Sequence, residues 1–218
     1  KTSFMTNILL NIANSGTPVG MFSLEMSKVQ ILERIMFGQS GIDPMALRRG
    51  QKLTTYQQGA FTGAVRRIKG ISFFVDDRPA LRIDQIQATA RRMVADHGVR
   101  CIGVDYLQLA NPSSRGVSRE REVSEISAGL KALAKELNIP VIVLAQLNRE
   151  VEKRAGKDAG VPRVSDLRDS GSIEQDADQI MLLYRPSASD RDADPKEAKV
   201  IIGKNRHGST GYIDLKWD

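Results

Sequence analysis

Four short apolar runs in this 218-residue sequence end directly in a residue able to do chemistry on a charged ligand. Glu25 follows the run 19–24, Asp105 follows 101–104, Gln146 follows 141–145, and Lys204 with Arg206 follows 200–203. A carboxylate after a buried strand can hold a divalent cation or its water shell, and it can equally cap a turn. Asp105 is open to both readings. Glu25 can polarise a water as a general base or stand as a surface carboxylate ahead of the next helix. The Gln146 amide both donates and accepts, which suits sensing a phosphate or satisfying buried backbone. Lys204 and Arg206 can neutralise phosphate charge or face solvent from a hairpin turn.

At the start of the chain, Lys1-Thr2 leads straight into an amphipathic stripe of Phe4, Ile8, Leu9 and Ile12. The pair matches the end of a Gly-x-x-x-x-Gly-Lys-[Ser/Thr] phosphate loop, in which the lysine neutralises β/γ-phosphate charge and the hydroxyl ligates Mg²⁺. The glycines of such a loop would precede Lys1. The sequence therefore reads as one domain, 1–218, that opens within the loop, and as such a piece it is expected to bind ATP weakly by itself.

These residues need elements to position them. The opening stripe predicts a helix ending near Asn14-Ser15-Gly16, and the run 19–24 reads as a buried strand. Ser27 caps a helix through Ile31, Leu32, Ile35 and Met36. Residues 40–70 read as short peripheral helices. The pattern then repeats: strand 71–75, a helix with Ile83, Ile86, Ala90 and Val94, strand 101–104, a helix with Val123, Ile126, Leu130, Leu133 and Leu137, and strand 141–145. Strands alternating with helices predict a parallel sheet covered on both faces, and ligands of such sheets collect beyond the carboxyl ends of the strands. Strand-like runs at 180–184, 200–203 and 212–217 follow, the last two joined by Arg206-His207-Gly208-Ser209 as a hairpin closing the sheet.

Composition narrows the class. With 41% hydrophobic and 27% charged residues and only strand-length apolar runs, the chain has the balance of a globular domain with no membrane span. Cys101 is its only cysteine, placed on an apolar strand, which predicts a buried thiol and fits a reducing cytoplasm. The net charge of +6 favours a polyanionic partner, and few aromatics point to contact with a phosphate backbone rather than base stacking. Arg149, Lys153, Arg154, Lys157, Arg163 and Arg168, interspersed with Gly156 and Gly160, form a basic stretch that is either a strand-facing or a solvated loop. His97 and His207 stand far apart without a matching cluster, so a structural metal is not expected.

Four runs stand in order along the chain: Phe22-Ser23-Leu24-Glu25-Met26, Val104-Asp105-Tyr106-Leu107-Gln108-Leu109, Leu144-Ala145-Gln146-Leu147-Asn148-Arg149 and Ser165-Asp166-Leu167-Arg168-Asp169-Ser170-Gly171-Ser172-Ile173-Glu174-Gln175-Asp176-Ala177-Asp178. With them the sequence resembles, over nearly its whole length, the RecA-fold motor domain of DnaB-type replicative helicases of bacteria or phages, and the last run is the most specific. The resemblance implies a RecA-like P-loop ATPase core, an α/β fold with a mostly parallel twisted sheet, helices on both faces and a carboxy-terminal β-hairpin.

It also implies one ATP and Mg²⁺ site built from Lys1, Thr2, Glu25, Asp105 and Gln146, with Thr2 and Asp105 as the metal-facing pair. Lys204 and Arg206 would reach the nucleotide of a neighbouring subunit, Arg206 as an arginine finger. Arg168, Asp169 and Gly171 would contact single-stranded DNA, with Asp169 orienting Arg168. The implied activity is ATP-driven movement 5′ to 3′ by a homo-hexameric ring that unwinds duplex DNA. Primase and a helicase loader would be met through parts outside these residues. The alternative is a RecA-fold recombination or scaffold ATPase without unwinding activity.

Overall fold

A computed structural model describes residues 1–113, 118–148, 150–154, 160–167, 171–188 and 192–217, with the side chains of residues 152 and 153 left aside. These residues divide into two compact units, the first built from Lys1–Ala110 and Leu133–Leu144, the second from Asn111–Ala132 and Ala145–Asp218.

The first unit is a four-stranded parallel sheet of β1 (Val19–Ser23), β2 (Phe73–Asp76), β3 (Cys101–Asp105) and β4 (Val141–Val143), in the order β2-β1-β3-β4. Every residue of the two central strands is buried, whereas β2 and β4 at the edges are half-buried. That is why 19–24 and 101–104 read as unbroken apolar runs: a central parallel strand is covered on both faces. On one face, α1 (Thr2–Asn14) brings Met5, Leu9, Leu10 and Ala13 into a core with Val19, Met21 and Cys101, joined by Ile31 and Ile35 of α2 (Lys28–Ser40). Gly103, which pairs with Met21, permits this closeness, since a Cβ there would lie 2.7 Å from Leu9 Cδ1 and 3.0 Å from Met5 Sδ. On the opposite face a Cβ at Gly20 would stand 2.9 Å from Met93 Sδ of α5 (Ile83–His97). Two glycines on adjacent strands thus admit one helix to each face.

The capped start at Ser27 is present as a full capping box, with Gln30 N donating to Ser27 Oγ and Ser27 N to Gln30 Oε1. Residues 40–70 differ from the sequence expectation. Only α3 (Pro44–Arg48) is short, and it is followed by α4 (Thr55–Lys69), a 15-residue helix packed on α2. Its start is a second capping box, Thr54 with Gln57, a signal legible in the sequence. Ala64 is its one buried residue, so its apolar stripe is too narrow to announce itself.

In the second unit the turns of α6 (Arg119–Leu137) up to Ala132, α7 (Glu150–Lys153) and α8 (Gly171–Asp176) accompany β5 (Gln179–Tyr184), β6 (Glu197–Asn205) and β7 (Gly211–Lys216). The three strands form an antiparallel sheet, β5-β6-β7. The hairpin expected from the sequence is there as β6 and β7, but among the described residues it pairs with β5 in its own sheet rather than closing the parallel one. No helix among the described residues is long and apolar enough to cross a membrane.

Candidate active site

The parallel register sets Ser23 beside Asp105, so β1 and β3 end level with each other. Leu24 N donates to Asp105 O at 2.8 Å, and Ser23 Oγ closes the following turn onto Met26 O at 2.6 Å. Between these two bonds stands Glu25, exposed at the rim of the sheet. Asp105 is the opposite case, with 1% exposure, and its Oδ2 is buried with no hydrogen-bond partner among the described residues. An acceptor left unmade in a protein interior costs about 1–3 kcal/mol, so such atoms call for a reason.

Lys1 caps α1, whose first intrahelical bond runs from Met5 N to Lys1 O. The Lys1 ammonium feels both Asp105 and Glu25, which brings the three residues into one electrostatic neighbourhood. Desolvation by surrounding protein pulls its pKa below the ordinary lysine value, and the two carboxylates work against that shift. Thr2 is the first residue of α1, half-buried, at a helix start whose free N–H groups favour anions. The fit to a magnesium nucleotide is therefore chemical: a lysine and a helix N-terminus for phosphate, and a buried carboxylate oxygen without a hydrogen-bond partner among the described residues for a hard cation.

In the second unit, Gln146 is half-buried in the extended segment after β4, which is shorter than the sequence run and ends at Val143. The next residues are tied down, Leu147 bridging Leu167 and Asn148 N donating to Asp166 O at 2.7 Å. Asp166 is 8% exposed and orders this stretch: it accepts from Arg154 Nη2 at 2.6 Å and from Arg163 N at 2.6 Å. Arg154, one of the basic-loop residues, is thus engaged as an internal clamp between Val161 O and Asp166. Arg168 and Asp169 lie outside the described residues, as do Arg149 and Lys157 and the side chain of Lys153. Gly171 is exposed as the first residue of α8.

Lys204 is not beyond a strand but inside β6, which runs on to Asn205. Its Nζ donates to Glu174 O and Gln175 O near the end of α8. Arg206, in the turn after β6, donates through Nη2 to Gln175 O at 3.2 Å and through Nη1 to Asp178 Oδ1 at 2.7 Å. Asp178 was passed over by sequence reasoning although it closes the most specific run. Lys131 of α6 also donates to Asp178, and that bond chiefly holds the Asp178 carboxyl below the usual carboxylate range, helped by the charges of Lys131, Arg206 and His207. Residue type gave no warning of this, because Asp178 precedes its partner Arg206 by 28 positions.

A family model described as the DnaB-like helicase C-terminal domain matches residues 1–218. The replicative DNA helicase DnaB of Geobacillus stearothermophilus is 43% identical over 218 residues, 99% of this chain and 47% of that protein. The replicative DNA helicase DnaC of Bacillus subtilis is 41% identical over 99% of this chain and 47% of its own length. The chain spans about half the length of the curated relatives it matches. Among solved structures, one described as an ATPase domain superposes with a TM-score of 0.93 at 32% identity, covering 100% of this chain and 77% of that one. A DnaB-like replicative helicase described with its interactions with primase gives 0.93 at 31% identity, covering 99% and 53%. With the fold and a family match over every residue in agreement, the chain belongs to the DnaB-like helicase C-terminal domain family.

Proposed function

We propose that residues 1–218 are one motor domain of an ATP-dependent replicative DNA helicase, which hydrolyses ATP at the subunit interfaces of a homo-hexameric ring, moves 5′ to 3′ on single-stranded DNA and unwinds duplex. The observation that carries the reading is Asp105 Oδ2, buried and without a hydrogen-bond partner among the described residues at the end of β3, with the Lys1 ammonium in its field. In this reading Lys1 and the start of α1 bind the β- and γ-phosphates, while Thr2 and Asp105 hold Mg²⁺, which when bound neutralises charge on the transferring phosphoryl group. Glu25 takes a proton from the attacking water as its oxygen bonds to phosphorus, and the bond to the ADP oxygen breaks in line.

Gln146 senses the γ-phosphate, and the Leu147–Leu167 bridge supports a link from it towards Arg168. Arg206, with Lys204, acts on the nucleotide of the neighbouring subunit. A finger of this kind is worth about 10³–10⁵ in kcat. Arg168, Asp169 and Gly171 contact phosphates of the strand, so affinity falls steeply with salt. Primase and a loader bind elsewhere in the protein, which works in the cytoplasm.

Strand displacement by the full-length protein, compared with its Arg206→Ala variant and with mixed rings of the two, tests the whole reading. Unwinding with ATPase stimulated by single-stranded DNA is expected. Stimulation without unwinding would favour a recombination ATPase, and no stimulation a scaffold ATPase. Full ATPase activity in Arg206→Ala would remove the finger assignment.

A further inference from the structure

The base of the β6–β7 hairpin holds Arg206 by a device that the strand-end reading does not use. Asp178 grips the arginine twice: its backbone oxygen accepts Arg206 N at 2.8 Å, and its carboxylate accepts Arg206 Nη1 at 2.7 Å. Gln175 O takes Nη2 at 3.2 Å. Bonds at the backbone and at both ends of the guanidinium fork define one side-chain direction, and among the described residues they leave most of the N–H donors of the fork open to a further acceptor.

The platform under Arg206 is fixed in turn. On α6, Ser127 and Lys131 lie one helical turn apart; Ser127 Oγ donates to Asp176 Oδ2 at 2.6 Å and Lys131 to Asp178 Oδ2. Lys204 closes the group on the carbonyls of Glu174 and Gln175. Each Asp178 oxygen has a different cation, so the carboxylate is a bridge between α6 and the arginine. Arg206 and Asp178 are about half exposed, with side-chain exposures of 47% and 49%, so the tip of the arm remains open to a partner's ligand.

We infer that Asp178 is the positioning residue for Arg206, with Lys131 holding Asp178 in place, so that the guanidinium is presented in one direction to the nucleotide of the adjoining subunit. This rests on the arginine-finger reading given above. A guanidinium on a free turn would search many rotamers, and displacement of a catalytic group by about 1 Å costs roughly 10²-fold in rate. Asp178 acts through Arg206 and touches no phosphate. Its loss therefore lowers kcat, the transition-state contribution, and leaves nucleotide binding by the subunit's own Lys1 and Thr2 unchanged.

The test uses full-length protein and steady-state ATPase assays on single-stranded DNA. Asp178→Ala is expected to lower kcat about 10²-fold with KM for ATP nearly unchanged, Asp178→Glu to recover part of the loss, and Lys131→Ala to give a smaller fall of the same type. The double variant Asp178→Ala/Arg206→Ala should be no slower than Arg206→Ala alone, since the two residues form one unit.

Mixed rings separate this role from a merely structural one. Asp178→Ala subunits mixed with Lys1→Ala subunits should regain activity, because a site with Lys1 from the first and Arg206 from the second is intact. Asp178→Ala mixed with Arg206→Ala should regain none. The reverse pattern, or additive losses in the double variant, overturns the role of Asp178. Full activity of Arg206→Ala overturns the finger reading instead, and the two failures are told apart by that single variant.

Discussion

Asp105 and Arg206 are both charged residues at strand ends, held in opposite ways. Asp105, at the end of β3, is almost fully buried and has a carboxylate oxygen with no partner among the described residues. Arg206, after β6, is half exposed and has its guanidinium bound to Asp178 and Gln175. The first unit keeps an interior polar atom unmade, at a cost of about 1–3 kcal/mol, which a ligand in the site can offset. The second holds its cation internally through an exposed pair that adds only about 0–1 kcal/mol to stability, so the pair fixes the direction of the side chain more than it stabilises the fold. In the reading proposed above, the group that receives a ligand keeps an open acceptor, and the group offered to one is held in a set direction by its neighbours.

Four substitutions press on that contrast. The largest effect is expected from Arg206→Ala, with ATPase kcat down about 10³-fold and the folded state scarcely altered, measured by turnover and by thermal melting of the same sample. Asp105→Asn should lower ATPase about 10²-fold or more while the melting temperature holds or rises, because a carboxylate with an unmade acceptor has left the interior. A clear drop in melting temperature would mean that Asp105 is a structural carboxylate and would dissolve the comparison.

Gly103→Val should destabilise by about 1–3 kcal/mol in urea titration, since its side chain would drive into Leu9 and Met5 and shift the helix that carries Lys1 and Thr2. In acid, a carboxylate–guanidinium pair should fail. Asp76 has its carboxyl lowered chiefly by its bond to Arg78, so its stabilisation is complete above the unfolded carboxylate value and is lost as pH falls towards the depressed folded one. Urea midpoints followed from neutral pH into acid should decline less in Arg78→Ala than in the unchanged protein.

Much of the first unit was legible because its signals are local. The central strands and the helix stripes follow from burial on two faces and a 3.6-residue period, and Cys101 is buried in β3 as its neighbours indicated, with burial pushing its thiol up to about 11. The long helix α4 was missed because its buried stripe is thin, although the Thr54–Gln57 capping box announced its start. In the second unit the basic stretch gave no sign that Arg154 pairs with Asp166 twelve positions on. Pairing at such separations has no period to reveal it.

By itself, then, the sequence determined which residue types stand at the strand ends, and through the ordered runs from Phe22 to Asp178 it determined the family. Only the tertiary structure decided that Asp105 Oδ2 has no partner among the described residues, that Lys204 lies within a strand, and that Asp178 joins Lys131 to Arg206. The reason is physical. Burial patterns are written in nearest neighbours along the chain, whereas the partner of a charge is whichever group folding brings within about 3 Å of it.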